Sequence, residues 1–170
     1  GMRVPGAHDP FELGVRAILG QQVSVANATK LAGRLVARHG TPVPGLDSMG
    51  LSHLFPSAET LSSAALDDVG LTKARAAAVR AFAAAAPRLD GSLDLDGLVA
   101  ELRTLPGVGE WTAQYVAMRA SGERDAFPAA DLGLRKALGV RTAADATARA
   151  AGWTPWRAYA AMHLWTAEPD

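Results

Sequence analysis

The chain has 170 residues, 49% hydrophobic and 20% charged, which suits a packed globular core, and no apolar run is long enough to span a membrane. Its 17 basic side chains balance 17 acidic ones, excluding a polybasic mode of nucleic-acid binding but not a local basic face. Cysteine is absent, which removes disulfides, thiolate zinc sites, cysteine-ligated iron–sulfur clusters and cysteine nucleophiles together.

Alanine fills about a fifth of the chain and isoleucine occurs once, at Ile18. Alanine is the best helix former and β-branched residues favour strands, so an all-α fold is predicted. The opening Gly1-Met2-Arg3-Val4-Pro5 lacks the apolar core of a signal peptide, which predicts a cytoplasmic protein, with Gly1 a cloning remnant. Asp9-Pro10-Phe11-Glu12 places a capping Asp, a Pro at the first helical position and an early Glu. Phe11, Val15, Ile18 and Leu19 then repeat as one buried stripe to about Gly20. Ser24 caps a second helix with Ala28, Leu31, Leu35 and Val36 inward, closed by Gly40. Thr41 to Phe55, with Pro42, Pro44 and the flanking Pro56, reads as a surface loop.

Short helices are predicted over Ser57–Leu61 and Ala64–Val69, the second stopped by Gly70. Thr72 caps Lys73–Ala86, with Ala76, Val79 and Phe82 as its heavier contacts. Asp94 opens Leu95–Leu105, and Glu110–Ala120 is helical up to Gly122. Asp131–Leu138 is short; a helix from Thr142 or Ala143 to Ala151 follows, and Thr154-Pro155 caps the last one through Trp165. No repeat or low-complexity linker divides the chain, so residues 1–170 read as a single domain. His8, His39, His53 and His163 are scattered without helical pairing, so no imidazole-held metal is expected.

One joint stands out. Leu105-Pro106-Gly107-Val108-Gly109 separates two predicted helices, and its glycines permit positive φ and clear side chains away. Free backbone N–H groups would then point out at the start of the next helix, a ready anion site whose obvious ligand is phosphate. An ordinary helix–helix turn is the plain alternative.

The hairpin followed by Glu110-Trp111-Thr112-Ala113-Gln114-Tyr115, a Gly/Pro loop from Gly122 to Pro128, and Asp131 at a helix head resembles the helix–hairpin–helix/Gly-Pro-Asp DNA glycosylases. Three further stretches narrow the resemblance: Phe11–Gln21, Val23–Ala26, and Trp153-Thr154-Pro155-Trp156-Arg157 with His163-Leu164-Trp165. Together they are similar to the AlkA-type DNA-3-methyladenine glycosylase II from about Pro5 to Trp165. The resemblance implies two helical halves flanking an active-site cleft. It also implies double-stranded DNA carrying alkylated bases as the partner, and action as a monomer. Larger members carry an N-terminal β-rich domain, and this chain begins about where that domain would end.

On the same resemblance Asp131 is the catalytic carboxylate, stabilising positive charge on the sugar as the base leaves. Its residue-level alternatives are a plain N-cap or an ion pair with Arg135. Trp111 and Tyr115 share a helix face and, with Trp165, would wall the pocket for the flipped base, electron-rich rings suiting a cationic alkylpurine. By spacing alone the three read as core, as do Trp153 and Trp156. Gly107, Val108 and Gly109 would contact DNA, and Gln22 would fill the gap left in the duplex, where the family commonly has an apolar side chain. An exposed turn residue is the alternative for Gln22. Where strand-nicking relatives carry a Schiff-base lysine, this chain has Trp111, so water-using hydrolysis without strand cleavage is implied. No cofactor is expected, though the family's hairpin can hold a monovalent cation on its carbonyls. Arg16, Arg119 and Arg157 stay open between DNA contact and structure, and the preferred lesion is open. A non-catalytic helix–hairpin–helix DNA-binding module is the alternative, and a helical protein-interaction domain a third reading.

Overall fold

A computed structural model describes residues 1, 3–45, 47–89 and 92–167. In chain order the elements are α1 (Pro10–Leu19), α2 (Val25–His39), β1 (Thr41–Pro42), β2 (His53–Leu54), α3 (Ala58–Ser63), α4 (Lys73–Ala85), α5 (Leu95–Arg103), α6 (Glu110–Arg119), α7 (Leu132–Ala137), α8 (Ala143–Ala150) and α9 (Arg157–Thr166). The helices begin where short polar side chains can satisfy their first amides. Asp9, Ser24, Ser57, Thr72, Asp94 and Thr142 each accept a backbone N–H at a helix start.

The chain forms two compact units. One comprises Gly14–Asp90 with Leu105–Gly107. Its core draws on Val15, Ile18 and Leu19 of α1, Leu35 of α2, Leu61 of α3 and Val79 of α4, all fully buried. The other comprises Gly1–Leu13, Gly91–Thr104 and Val108–Asp170. There α5 packs on α6, and α7 on both α8 and α9. Leu98, Leu102, Met118, Phe127 and Leu134 are among its large buried side chains, but α8 and α9 bury only alanines: Ala146, Ala150, Ala158 and Ala161.

Four expectations are corrected. The Thr41–Phe55 segment is not loop throughout: Thr41 pairs with Leu54 and Pro42 with His53 in a minimal antiparallel ladder. Two-residue strands are too short to show alternation, so no periodicity in the sequence marks them. Ala64–Val69 is not an α-helix; only Asp67–Val69 winds, as one 3₁₀ turn ended by left-handed Gly70. Trp156 is not core but 50% exposed, beneath the Arg124 guanidinium 5.2 Å from its ring centre. Trp153 is partly buried, edge-on to Phe127.

The fourth correction concerns the start of α9. Thr154-Pro155 does not cap it; Trp156 stands at the cap position and its side chain makes no capping bond. The first amides are met from the distant 124–125 loop instead. Arg124 accepts from the Ala158 N–H at 3.0 Å and Asp125 from the Arg157 N–H at 3.4 Å. Arg157 adds a two-pronged grip on the same carboxylate, Nε to Oδ1 and Nη2 to Oδ2, each 2.7 Å. That grip holds Asp125 below the usual carboxylate range, against the opposing effect of burial. Because the folded-state value is depressed, the pair's stabilisation is fully present above about pH 4 and fades as pH falls through the lowered value. Asp125→Asn should therefore cost about 2 kcal/mol at neutral pH, a hydrogen bond to a charged group being worth about 1.5–3. Urea denaturation should show this gap from the parent protein at pH 7 and a progressively narrower one as pH falls below about 4.

Candidate active site

Asp131 is the N-cap of α7, its Oδ1 accepting the Leu134 N–H at 3.0 Å. The cap geometry leaves the carboxylate facing two tryptophans. The Trp111 indole Nε1–H donates to Oδ2 and that of Trp165 to Oδ1, both at 2.9 Å. Three donors thus hold one half-buried carboxylate, and none of them is charged. The side chain is fixed in place while its negative charge stays uncancelled by these partners. Arg135 does not pair with it as an i,i+4 partner; its guanidinium donates to the Arg141 carbonyl at 2.6 Å.

The two indoles arrive from different helices. Trp111 sits in the first turn of α6, with Tyr115 one turn later stacked on it at 5.1 Å and 11° between planes. Arg119, a further turn along, lays its guanidinium 5.6 Å from the Tyr115 ring centre, so one face of α6 carries a continuous stack. Trp165 comes from the last turn of α9. Trp111, Tyr115 and Trp165 are all partly exposed, so the core reading of their spacing does not hold. The structure brings together the three aromatics and the carboxylate that sequence reasoning singled out.

Gly133 is a residue that reasoning missed. A Cβ there would lie 3.1 Å from Asp131 Oδ1 and 3.5 Å from Trp165 Cδ1, so the bare backbone makes room for the indole. A glycine in a helix is an unfavourable choice by about 0.5–1 kcal/mol relative to alanine, a hint that another demand is being met there.

The hairpin is anchored and exposed in alternation. Leu105 and Val108 are buried; Pro106, Gly107 and Gly109 are open to solvent. Val108 can therefore offer an external partner its backbone, not its side chain. Gly107 takes φ +75°, and a Cβ on it would meet Ala78 Cβ at 2.9 Å. Gly109 caps α6 with extended backbone, no capping side chain and open space around it. Arg103 and Glu110 close the base of the joint with a 3.1 Å ion pair.

Gln22 is exposed, with φ +55°. A left-handed glutamine is uncommon, and such strain points to a constrained position. The turn is held from within its own unit: Arg75 donates to the Gln21 carbonyl at 2.6 Å, and Gln21 Nε2 donates to the Gly107 carbonyl at 2.9 Å. Of the three open arginines, Arg16 faces the Phe55 ring, Arg119 donates to the Pro5 carbonyl, and Arg157 grips Asp125. Among the described residues no cluster of potential metal ligands occurs, and no helix is long and apolar enough to cross a membrane.

A family model described as HhH-GPD superfamily base excision DNA repair protein matches residues 15–151. The chain is 45% identical to the probable bifunctional transcriptional activator/DNA repair enzyme AlkA of Mycobacterium tuberculosis, over 98% of this chain and 35% of that protein. It is 39% identical to DNA-3-methyladenine glycosylase 2 of Escherichia coli, over 99% of this chain and 61% of that protein. It thus spans about a third to three fifths of these relatives. Its fold is similar to a 3-methyladenine DNA-glycosylase from Archaeoglobus fulgidus, with a TM-score of 0.78, 26% identity, and coverage of 95% of this chain and 58% of the other.

The two hairpin glycines should separate in a stability measurement. Gly107→Ala is expected to cost about 1–3 kcal/mol from left-handed strain and overlap with Ala78. Gly109→Ala should cost about 1 kcal/mol or less, the modest difference between cap residues. Denaturant titration of both variants checks the contrast.

Proposed function

The chain belongs to the HhH-GPD superfamily of base excision DNA repair proteins, and on that premise we propose that it is a monofunctional DNA glycosylase hydrolysing the N-glycosidic bond of alkylated purines in duplex DNA. The observation that carries the proposal is the Asp131 carboxylate, pinned by two indoles and a backbone amide. A module kept only for binding DNA has no use for an acid so arranged. The names of the similar glycosylases support the same reading.

In the proposed reaction the hairpin amides of Gly107, Val108 and Gly109 grip a backbone phosphate, a contact that needs no lysine in a chain of zero net charge. Gln22, projecting from its strained turn, enters the duplex and can hydrogen-bond the orphaned base. The extruded base lies against Trp111 and Trp165, whose ring faces attract a cationic purine by about 0.5–2 kcal/mol, while Tyr115 completes the pocket wall behind Trp111. The C1′–N bond breaks with its electron pair going to the base, already a good leaving group because alkylation has made it cationic. Asp131 faces the positive sugar that develops. Unit charges about 4 Å apart at an effective dielectric of 20 interact by roughly 4 kcal/mol, about a thousandfold in rate. Water then adds to C1′, oriented by the same carboxylate, and its proton is released.

With Trp111 in place of a nucleophilic lysine, the base leaves without strand cleavage. The chemistry draws on no resident cofactor. A monovalent cation at the hairpin would share the Gly107 carbonyl with Gln21, which a carbonyl's two lone pairs allow, and would only add positive charge for the phosphate. Acting on cellular DNA, the protein would work in the cytoplasm as a monomer.

Incubation with methylated duplex DNA and chromatography of the freed bases tests the proposal; absence of any released purine overturns it. Asp131→Asn should lower release by about a thousandfold, with duplex affinity nearly unchanged. Gly109→Ala should show the opposite split, weaker and less salt-dependent binding. Borohydride should trap no covalent enzyme–DNA adduct with the parent protein.

A further inference from the structure

The Trp165–Asp131 bond depends on where α9 sits along its own axis. Its fully buried side chains are Ala158 and Ala161, too small to key deeply into a neighbouring groove, and the larger Tyr159, Met162 and Leu164 are only partly buried. Its N-terminus, by contrast, is held by the Ala158-to-Arg124 backbone bond and the double guanidinium–carboxylate contact of Arg157 with Asp125. Asp125 lies six positions before Asp131, on a loop whose residues Ala126, Phe127 and Ala129 are buried. The Phe127 N–H is further tied to Gln114 of α6 at 2.9 Å. The loop is therefore a fixed reference from which both the carboxylate and α9 are measured.

We propose that Arg157 and Asp125 are a positioning pair: their clamp sets the longitudinal register of α9 and thereby brings the Trp165 indole onto Asp131. Neither residue touches substrate; both act through Trp165. Gly133 leaves no spare side chain between α7 and that indole. As a claim about catalysis this rests on the reading of Asp131 as the reacting carboxylate. As a claim about geometry it does not.

Arg157→Lys keeps the charge but cannot reproduce the two-pronged contact, and Asp125→Asn keeps the shape but removes the charge. Each is compared with Leu61→Ala, a core truncation in the other unit that lowers stability. In ¹⁵N spectra of the four tryptophan indoles, assigned by single Trp→Phe changes, the Trp165 N–H should move upfield and exchange faster in both clamp variants. Trp111 should be nearly unaffected, and Leu61→Ala should leave Trp165 in place. On methylated duplex, single-turnover release should fall about 10- to 100-fold while duplex affinity stays within about threefold, since a displacement of about 1 Å can cost about a hundredfold. An unmoved Trp165 signal in both clamp variants, or one that moves equally in Leu61→Ala, overturns the proposal. If the parent protein releases no base, the functional reading fails, and the indole spectra still decide the clamp.

Discussion

A carboxylate out of bulk water has to be held by donors, and the choice of donor decides what it can do. A cationic partner would secure Asp131 but spend its charge on the partner. Indole N–H groups hold it as firmly in direction and leave the charge available. Accepting that arrangement imposes the rest of the unit. One indole must come from the helix that leaves the hairpin, another from a helix that begins 47 residues later, and both must reach opposite oxygens of a single side chain.

Those demands explain features that look unfavourable one at a time. Gly133 weakens a six-residue helix but gives the second indole its space. Only alanines of α9 are fully buried, and their small side chains permit a close approach to α7. The stack running from Trp111 through Tyr115 to Arg119 gives the first indole a rigid backing. Here local propensity is overridden by the needs of one polar contact.

Much of this was legible from the chain. Helix starts at Asp9, Ser24, Ser57, Thr72, Asp94 and Thr142 follow from side-chain chemistry within three residues, which a linear reading captures. The same holds for Trp111 and Tyr115, whose shared face is a matter of helical pitch, and the resemblance pointed to Asp131 and Trp165. What could not be read was anything closed across the fold. The cap of α9 comes from Asp125, thirty-two positions away, so the local Thr154-Pro155 signal misleads. That the indoles donate to the carboxylate, instead of only walling a pocket, needs coordinates. Gly133 carried a faint signal, a glycine inside a helix start, but its purpose lies in a ring thirty-two residues downstream.

The amide of Gln21 joins its turn to Gly107 across a sequence separation of 86 residues. Such a contact closes a very long loop, and its entropic cost is met only once most of the intervening chain has collapsed. The bend that presents Gln22 and the left-handed corner at Gly107 are therefore late and joint products of folding. A partly folded chain would own neither.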